Sequence, residues 1–206
     1  MTSLRLPLLL AGLAALGSAP AQAQDLYLGS RTTQVTRNDF LDGDSTLVGL
    51  CGGIVQSTTT LGGKVYIGDV TGNVYVHDPA TGSFGYAFTA SNDATALESH
   101  AGDLLVGGSD GSILRYDVTT GTLKAGLVTG SAIPVHAMVL VDNGLGEQLI
   151  VGSLSGLIQS GDPVTGGFQF WASCGNDINA LASDGDQLFA ADVGGTIWRF
   201  EVVTQG

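Results

Sequence analysis

The feature that most constrains this chain is an internal repeat of small and acidic residues. Five acidic side chains recur at spacings of 39, 39, 45 and 39 residues: Asp39, Asp78, Asp117, Asp162 and Glu201. Ten residues before them lie Gly29, Gly68, Gly107, Gly152 and Ala191. Six residues before them lie Thr33, Gly72, Gly111, Gly156 and Gly195. These three sets of positions, which we call columns, recur with the same spacings, and they indicate five structural units of about 40 residues each.

Each unit has the pattern of short strands joined by turns. In residues 104–121, LLVGGSDGSILRYDVTTG, an apolar run ends at Gly107, and apolar and polar residues alternate after Gly111. Both patterns are typical of β-strands. Residues 117–121 form a turn, because aspartate accepts hydrogen bonds from backbone amides ahead of it and glycine tolerates a positive φ. With one further strand on either side, a complete unit has four antiparallel strands.

These units predict an all-β fold, a β-propeller of about five blades built from four-stranded antiparallel meanders. The copies cover about residues 24–51, 52–90, 91–130, 131–174 and 175–206. The longer spacing before Asp162 is assigned to a turn-rich insertion at residues 142–147. The first copy lacks a first strand and the fifth lacks a fourth. Either the ring has a three-stranded blade on each side of its seam, or it is open, with an edge that can pair with another chain.

Residues 104–121 resemble the quinoprotein-type propeller repeat, of the PQQ-like and YVTN or WD40-like kind, and so do residues 65–82, VYIGDVTGNVYVHDPATG. The similarity covers most of residues 24–206. The resemblance implies a propeller blade, and its superfamily includes enzymes, assembly factors and binding proteins. The family commonly ends its fourth strand with tryptophan. The equivalent positions here are Tyr86, Ala125 and Phe170, with Trp171 one residue late, which weakens any inference of cofactor-dependent chemistry.

Residues 1–23 are typical of a secretory signal peptide. Arg5 supplies the positive charge, residues 6–16 form an apolar run, and Ala21 and Ala23 form an A-x-A cleavage site. The apolar run is too short for a spanning helix. We therefore predict a signal peptide at residues 1–23, a β-propeller domain at residues 24–206, and an exported protein, periplasmic or extracellular.

The charge balance restricts the partners. The chain has 7 basic and 19 acidic residues and a net charge of −12. Nucleic-acid binding requires clustered Lys and Arg that displace counterions from phosphates, and anionic lipid also attracts basic segments. No stretch after the signal peptide could cross a membrane. We therefore expect no nucleic acid and no membrane insertion, and a protein, a glycan or a small ligand as partner.

The residues that could carry chemistry do not converge in the repeat. Residues 107–111, GGSDG, match G-x-S-x-G, but a nucleophile elbow is followed by a helix, and here a strand is predicted. His77, His100 and His136 occupy different places in their copies, whereas metal ligands must meet at one point. The acidic column, Asp39, Asp78, Asp117, Asp162 and Glu201, is interpreted as structural, each residue starting a turn; calcium ligation is the alternative. We therefore predict no catalytic residue, no metal and no cofactor.

The two cysteines leave two possibilities open. Cys51 and Cys174 each lie twelve residues after an acidic-column residue, so they occupy one column. In an exported protein, two cysteines usually form a disulfide. Equivalent positions in non-neighbouring blades are far apart, however, and a disulfide requires Cα atoms within about 7 Å.

The candidate ligand-binding residues are two Asn-Asp pairs. Asn92 and Asp93 precede the first strand of copy 3, and Asn176 and Asp177 precede the first strand of copy 5. First strands line the axis, so the loops that lead into them converge at one mouth of the channel. Two carboxylates there favour a cation, a basic peptide or sugar hydroxyls, although such pairs also simply start turns. The predicted function is a non-catalytic binding or scaffold module. The alternatives are a quinone-dependent oxidoreductase and a truncated propeller without activity of its own.

Overall fold

The structure is a computed structural model that describes residues 25–29, 33–39, 43–130 and 132–202. The predicted signal peptide lies outside these residues. The described chain forms eighteen strands in five antiparallel sheets, each a meander in chain order. None of the described residues forms a helix that is long and apolar enough to span a membrane. The prediction of an all-β propeller with five blades is confirmed.

The strands of each blade run outward from the axis in sequence order. Blade 1 contains β1 (Asp25–Gly29), β2 (Gln34–Asp39) and β3 (Ser45–Leu50). Blade 2 contains β4 (Val55–Leu61), β5 (Lys64–Asp69), β6 (Asn73–Asp78) and β7 (Ser83–Thr89). Blade 3 contains β8 (Ala96–His100), β9 (Asp103–Gly107), β10 (Ser112–Asp117) and β11 (Leu123–Val128).

The last two blades differ from each other in strand number. Blade 4 contains β12 (Val135–Asp142), β13 (Glu147–Ser153), β14 (Leu157–Asp162) and β15 (Gly166–Ser173). Blade 5 contains β16 (Ile178–Asp184), β17 (Gln187–Asp192) and β18 (Ile197–Glu201). The additional residues of the fourth copy lengthen β12 and β13 and the turn between them. Blades 1 and 5 each have three strands in the described residues, so the prediction of incomplete first and last blades is also confirmed.

Apolar side chains fill the space between neighbouring blades. We call the face of a blade that meets the following blade its trailing face, and the face that meets the preceding blade its leading face. Tyr66 and Val74 on the trailing face of blade 2 pack with Leu104 and Val106 on the leading face of blade 3. The other junctions repeat this arrangement with three sets: Tyr27, Val35, Val65 and Ile67; Leu105, Ile113, Leu149 and Val151; and Ile150, Ile158, Leu188 and Ala190. The core therefore lies between blades.

The first glycine column allows this close approach. A Cβ atom on Gly107 would lie 2.5 Å from Cγ1 of Val135, and one on Gly68 would lie 2.6 Å from Cβ of Ala94. Real Cβ atoms do not approach other atoms so closely, so any larger residue would push the next blade away. Gly29 meets Val55 and Gly152 meets Ile178 in the same way.

Candidate binding surface at the inter-blade end

Two sets of loops lie together at one end of the propeller. The inter-blade loops lead from the outermost strand of one blade to the innermost strand of the next, at residues 51–54, 90–95, 129–134 and 174–177. The second set joins the second and third strands of a blade, at residues 70–72, 108–111, 154–156 and 193–196. The amide of Val193 donates to the carbonyl of Asp177 (2.9 Å), and the amide of Leu154 donates to the carbonyl of Pro134 (3.3 Å). We call the end that carries both sets the inter-blade end.

The two candidate asparagines use their side chains within the protein. The amide Nδ2 of Asn92 donates to Oδ1 of Asp110 (2.9 Å) and also to Oγ of Ser112. Nδ2 of Asn176 donates a longer hydrogen bond, of 3.4 Å, to Oδ2 of Asp192. Each asparagine therefore connects an inter-blade loop to the turn of the blade that follows.

The backbone of the same two loops lies against the preceding blade. A Cβ atom on Gly156 would lie 2.6 Å from the carbonyl oxygen of Asn176, and one on Gly72 would lie even closer to the carbonyl oxygen of Asn92. The loop therefore connects two blades, through its backbone on one side and its amide side chain on the other. Gly72 has φ +80°, a conformation that L side chains rarely adopt, so both its backbone and its surroundings require glycine.

Two further aspartates at this end, Asp69 and Asp192, hold the turns together. The carboxylate of Asp69 accepts hydrogen bonds from the amides of Gly53, Thr71 and Asn73 at 2.9–3.0 Å. The carboxylate of Asp192 accepts from Nε1 of Trp198 (3.0 Å) and the amide of Thr196 (3.0 Å).

These hydrogen bonds affect the acidity of two of the turn carboxyls. The hydrogen bond from Trp198 is the main cause that lowers the pKa of Asp192, followed by that from the Thr196 amide. Burial alone would raise the pKa of Asp110, but hydrogen bonds from Ser112 and Asn92 outweigh it and hold the pKa below its usual value. Both turn carboxyls are therefore ionised at neutral pH.

The candidate carboxylates Asp93 and Asp177 differ from these turn aspartates. Both side chains are half-buried, and neither accepts a hydrogen bond from any described residue. His136 lies near Asp177: burial lowers the pKa of His136, and the charge of Asp177 opposes that shift. Asp93 and Asp177 are therefore the carboxylates at this end whose oxygen atoms remain available to a ligand.

The inter-blade end carries charge of one sign among the described residues. Five aspartates lie in its loops or directly beside them: Asp69, Asp93, Asp110, Asp177 and Asp192. No described residue of these loops is Lys or Arg. The basic residues of the described chain lie in strands instead, and they are Arg37, Lys64, Arg115, Lys124 and Arg199. A surface with carboxylates and no described cations attracts positively charged groups.

The acidic column lies at the opposite end of the blades. Oδ1 of Asp117 accepts hydrogen bonds from the amides of Thr119 (2.9 Å) and Thr120 (3.1 Å). Asp78 and Asp162 accept amide hydrogen bonds in the same turn position. The backbone carbonyl of Asp39 accepts from Gly43, while Glu201 ends the last described strand. The first four of these acids thus start a turn between two strands.

The three histidines are dispersed in the structure. Nδ1 of His77 lies 3.0 Å from the carbonyl of Ser83, and Nε2 of His100 lies 3.3 Å from Oε2 of Glu147. Together with His136, they belong to three different blades. In the described part of the chain, no three His, Cys, Asp or Glu side chains meet in a group that could hold a metal ion.

Cys51 and Cys174 are both buried free thiols. The amide of Cys51 donates to the carbonyl of Thr33, and the amide of Cys174 donates to the carbonyl of Gly156, both at 2.9 Å. Burial, with a smaller contribution from Asp69, raises the pKa of Cys51 to about 12. The shared column therefore reflects a shared position at the start of an inter-blade loop, and the thiols remain protonated at neutral pH.

The G-x-S-x-G segment forms a hairpin turn. Gly111 has φ 82°, and strand β10 follows it directly. Asp110 accepts hydrogen bonds from the amide (2.9 Å) and the hydroxyl (2.7 Å) of Ser112. Ser109 itself is exposed at the tip of the turn. This geometry lacks the helix that follows the serine in a nucleophile elbow.

The positions at which the quinoprotein-type repeat commonly has tryptophan lie on the outermost strands of this structure. Tyr86 and Phe170, at these positions, are 59% and 67% exposed. The hydroxyl of Tyr86 is hydrogen-bonded to Thr89 on the same strand. Their rings therefore lie at the rim, away from the axis where the blades converge.

The comparisons with known proteins identify the architecture. No family model matches the chain, and no curated protein is detectably similar to it. The crystal structure of the computationally designed Ika8 protein is similar, with a TM-score of 0.65 and 17% identity over 90% of this chain and 58% of that chain. The computationally designed Ika4 protein is also similar, with a TM-score of 0.59 and 19% identity over 73% of this chain and 92% of that chain.

At this level of identity, the likeness concerns the fold alone. The class that the blades and their packing define is the β-propeller, here with five blades. The chain spans a little over half of the length of Ika8, and most of the length of Ika4.

Proposed function

We propose that this protein is an exported, non-catalytic β-propeller that binds a positively charged ligand, such as a basic peptide segment, at its inter-blade end. The observation that carries the proposal is the pair Asp93 and Asp177, whose carboxylates accept no hydrogen bond from any described residue. Asp69, Asp110 and Asp192 add further negative charge at the same end. The resemblance of residues 65–82 and 104–121 to the quinoprotein-type repeat supports the blade architecture and adds no chemistry.

The geometry favours binding by charge and by positioned oxygen atoms. The hydrogen bonds of Asn92 and Asn176 hold the inter-blade loops in place, so the adjacent aspartates are presented on rigid backbone. A ligand that matches rigid groups loses less freedom on binding than one that must order a loop. The asparagines therefore act as positioning residues, and the aspartates make the contact.

The test is the affinity of the purified protein for a tetralysine peptide at low ionic strength. Replacing both Asp93→Asn and Asp177→Asn removes two charges with little change of shape, and we expect about tenfold weaker binding. The matched control is Asp184→Asn with Asp186→Asn, which removes the same charge from an exposed hairpin at the opposite end. We expect less than a twofold change in that control. Equal weakening by the two pairs would show that net charge alone attracts the peptide, and the proposed site would be wrong.

The export part of the proposal rests on residues 1–23. The chain secreted by a cell that removes this segment should begin at Gln24. Amino-terminal sequencing that finds an intact Met1 on the exported protein would contradict it.

A further inference from the structure

The leading face of blade 1 and the trailing face of blade 5 carry apolar residues like those at the junctions between blades, but these two faces are less buried. On the leading faces of blades 2 to 5, the paired residues are almost completely buried: Val65 and Ile67, Leu104 and Val106, Leu149 and Val151, and Leu188 and Ala190. The equivalent residues of blade 1 are Leu26 and Leu28, and both are only half-buried. The leading face of blade 1 therefore has apolar residues at the junction positions, but these residues are less buried than those of the other blades.

The trailing face of blade 5 shows the larger difference. Its residue Ile197 occupies the position of Val74, Ile113 and Ile158, each of which is 0% exposed. Ile197 is 72% exposed. Phe189, on the same face, is half-buried, whereas the equivalent Leu105 is completely buried. Ile197 is thus an apolar side chain that is exposed to solvent at the position where the earlier blades pack against the next blade.

The strands that line the axis pack in one continuous series, from β1 through β4, β8 and β12 to β16. Within the described residues, β16 and β1 do not pack on each other in this way. Within the described residues, blade 5 therefore does not pack on blade 1 of the same chain as the other blades pack on one another.

The first glycine column supports a specific partner for blade 5. In blades 1 to 4, the glycine receives a residue at or just before the start of the next innermost strand, namely Val55, Ala94, Val135 or Ile178. Blade 5 has Ala191 at this position, and its Cβ atom would obstruct such a strand. Within the described residues, the strand of blade 1 nearest the axis is β1, with Leu26 and Leu28 on its leading face, and this face can pack against Ala191.

We propose that the trailing face of blade 5 binds the leading face of blade 1 of a second copy of this chain. Ile197 and Phe189 of one copy then pack on Leu26 and Leu28 of the other, as Ile158 and Ile150 pack on Leu188 and Ala190 inside the chain. The interface is heterologous, because each copy contributes a different face to it. It is continuous with the junctions of the fold and independent of the inter-blade end.

The test is the concentration-dependent mass of the purified protein, measured by sedimentation equilibrium. The wild-type protein is expected to form pairs or larger head-to-tail assemblies. Ile197→Asp places a charge in the proposed junction and should raise the dissociation constant about 100-fold or more. Leu145→Asp is the matched control, because Leu145 is 73% exposed in the hairpin between β12 and β13. This control should associate like the wild type.

Mixing two variants distinguishes this interface from a symmetric one. Leu28→Asp disrupts the leading face of blade 1, so this variant alone should be monomeric, like the Ile197→Asp variant. An equimolar mixture retains one intact face from each variant and should form a one-to-one pair. Should Leu28→Asp fail to fold, hydrogen exchange of the wild type replaces the mixture, with concentration-dependent protection expected in both β1 and β18. A monomeric wild-type protein, association unaffected by Ile197→Asp, no recovery on mixing, or protection of only one of these strands would overturn the proposal.

Discussion

The close approach of neighbouring blades predicts that Gly107→Ala destabilises the protein through a single steric contact. The new Cβ atom would lie 2.5 Å from Cγ1 of Val135 and 3.3 Å from Cβ of Ala96. Gly107 does not have a positive φ, so alanine suffers no backbone strain there. Val135 is 1% exposed, and its amide donates to the carbonyl of Gly108 at 3.1 Å, which prevents it from moving aside.

The expected cost is that of overpacking a close-packed core, about 1–3 kcal/mol. For a domain of this size, 1 kcal/mol lowers Tm by about 2–4 °C. Urea unfolding followed by circular dichroism measures the change in the free energy of unfolding. The control is Gly85→Ala, because a Cβ atom at this strand position meets nothing within 4 Å, and we expect it to be neutral or slightly stabilising.

A double-mutant cycle isolates the contact. Val135→Ala removes the methyl groups that the new Cβ atom meets, so the double variant should be more stable than the sum of the single changes by about 1 kcal/mol or more. Additive effects, or a Gly107→Ala variant as stable as Gly85→Ala, would show that the glycine column is not needed for blade packing.

Three further predictions concern the side chains of Asp103, of Glu98 and of the two cysteines. Asp103→Asn should lower the free energy of unfolding in urea by about 3 kcal/mol, because Asp103 is 3% exposed and accepts 2.6 Å hydrogen bonds from Arg115 and Lys124. The control Asp186→Asn changes an exposed carboxyl and should cost little. Equal costs of the two changes would contradict the prediction. Burial raises the pKa of Glu98 from 4.5 to about 7, so between these two pH values the folded protein retains a proton that the unfolded chain releases. The contribution of Glu98 to the free energy of unfolding is therefore fully present below pH 4.5 and is lost as the pH rises to about 7. Glu98→Gln should therefore gain up to about 3 kcal/mol over the wild type at pH 8 and nothing at pH 4; a constant difference across this range would refute the assignment. Cys51 and Cys174 should react with a thiol reagent only after denaturation, and rapid modification of the native protein would contradict their burial.

The repeat in the sequence was sufficient to predict the number and strand order of the blades. Alternating residues such as those of 112–117 and glycine turns such as Gly111 are local signals, and each copy reinforces the others. The reason for the first glycine column was not accessible in this way. Gly107 is constrained by Val135, a residue 28 positions away in the next blade, and no local pattern indicates that contact.

The candidate site was predicted less completely for a similar reason. The position of Asn92 and Asn176 before an innermost strand placed them on inter-blade loops, but their hydrogen bonds to Asp110 and Asp192 depend on blade packing. Sequence reasoning also missed Asp69 and Asp192, although both directly follow the first small-residue column. His136 was considered only as a metal ligand, and its proximity to Asp177 results from the arrangement of blades 4 and 5.

The most direct test of the proposed binding surface is an assigned amide NMR spectrum of the protein, titrated with tetralysine. Binding at the inter-blade end predicts saturable shifts of the amides of Asp93 and Asp177 and of the adjoining turn at residues 108–111. The turns that start at Asp78, Asp117 and Asp162, at the opposite end, should remain unchanged. Shifts confined to those opposite turns, or no saturable shift at the inter-blade end, would contradict the proposed function.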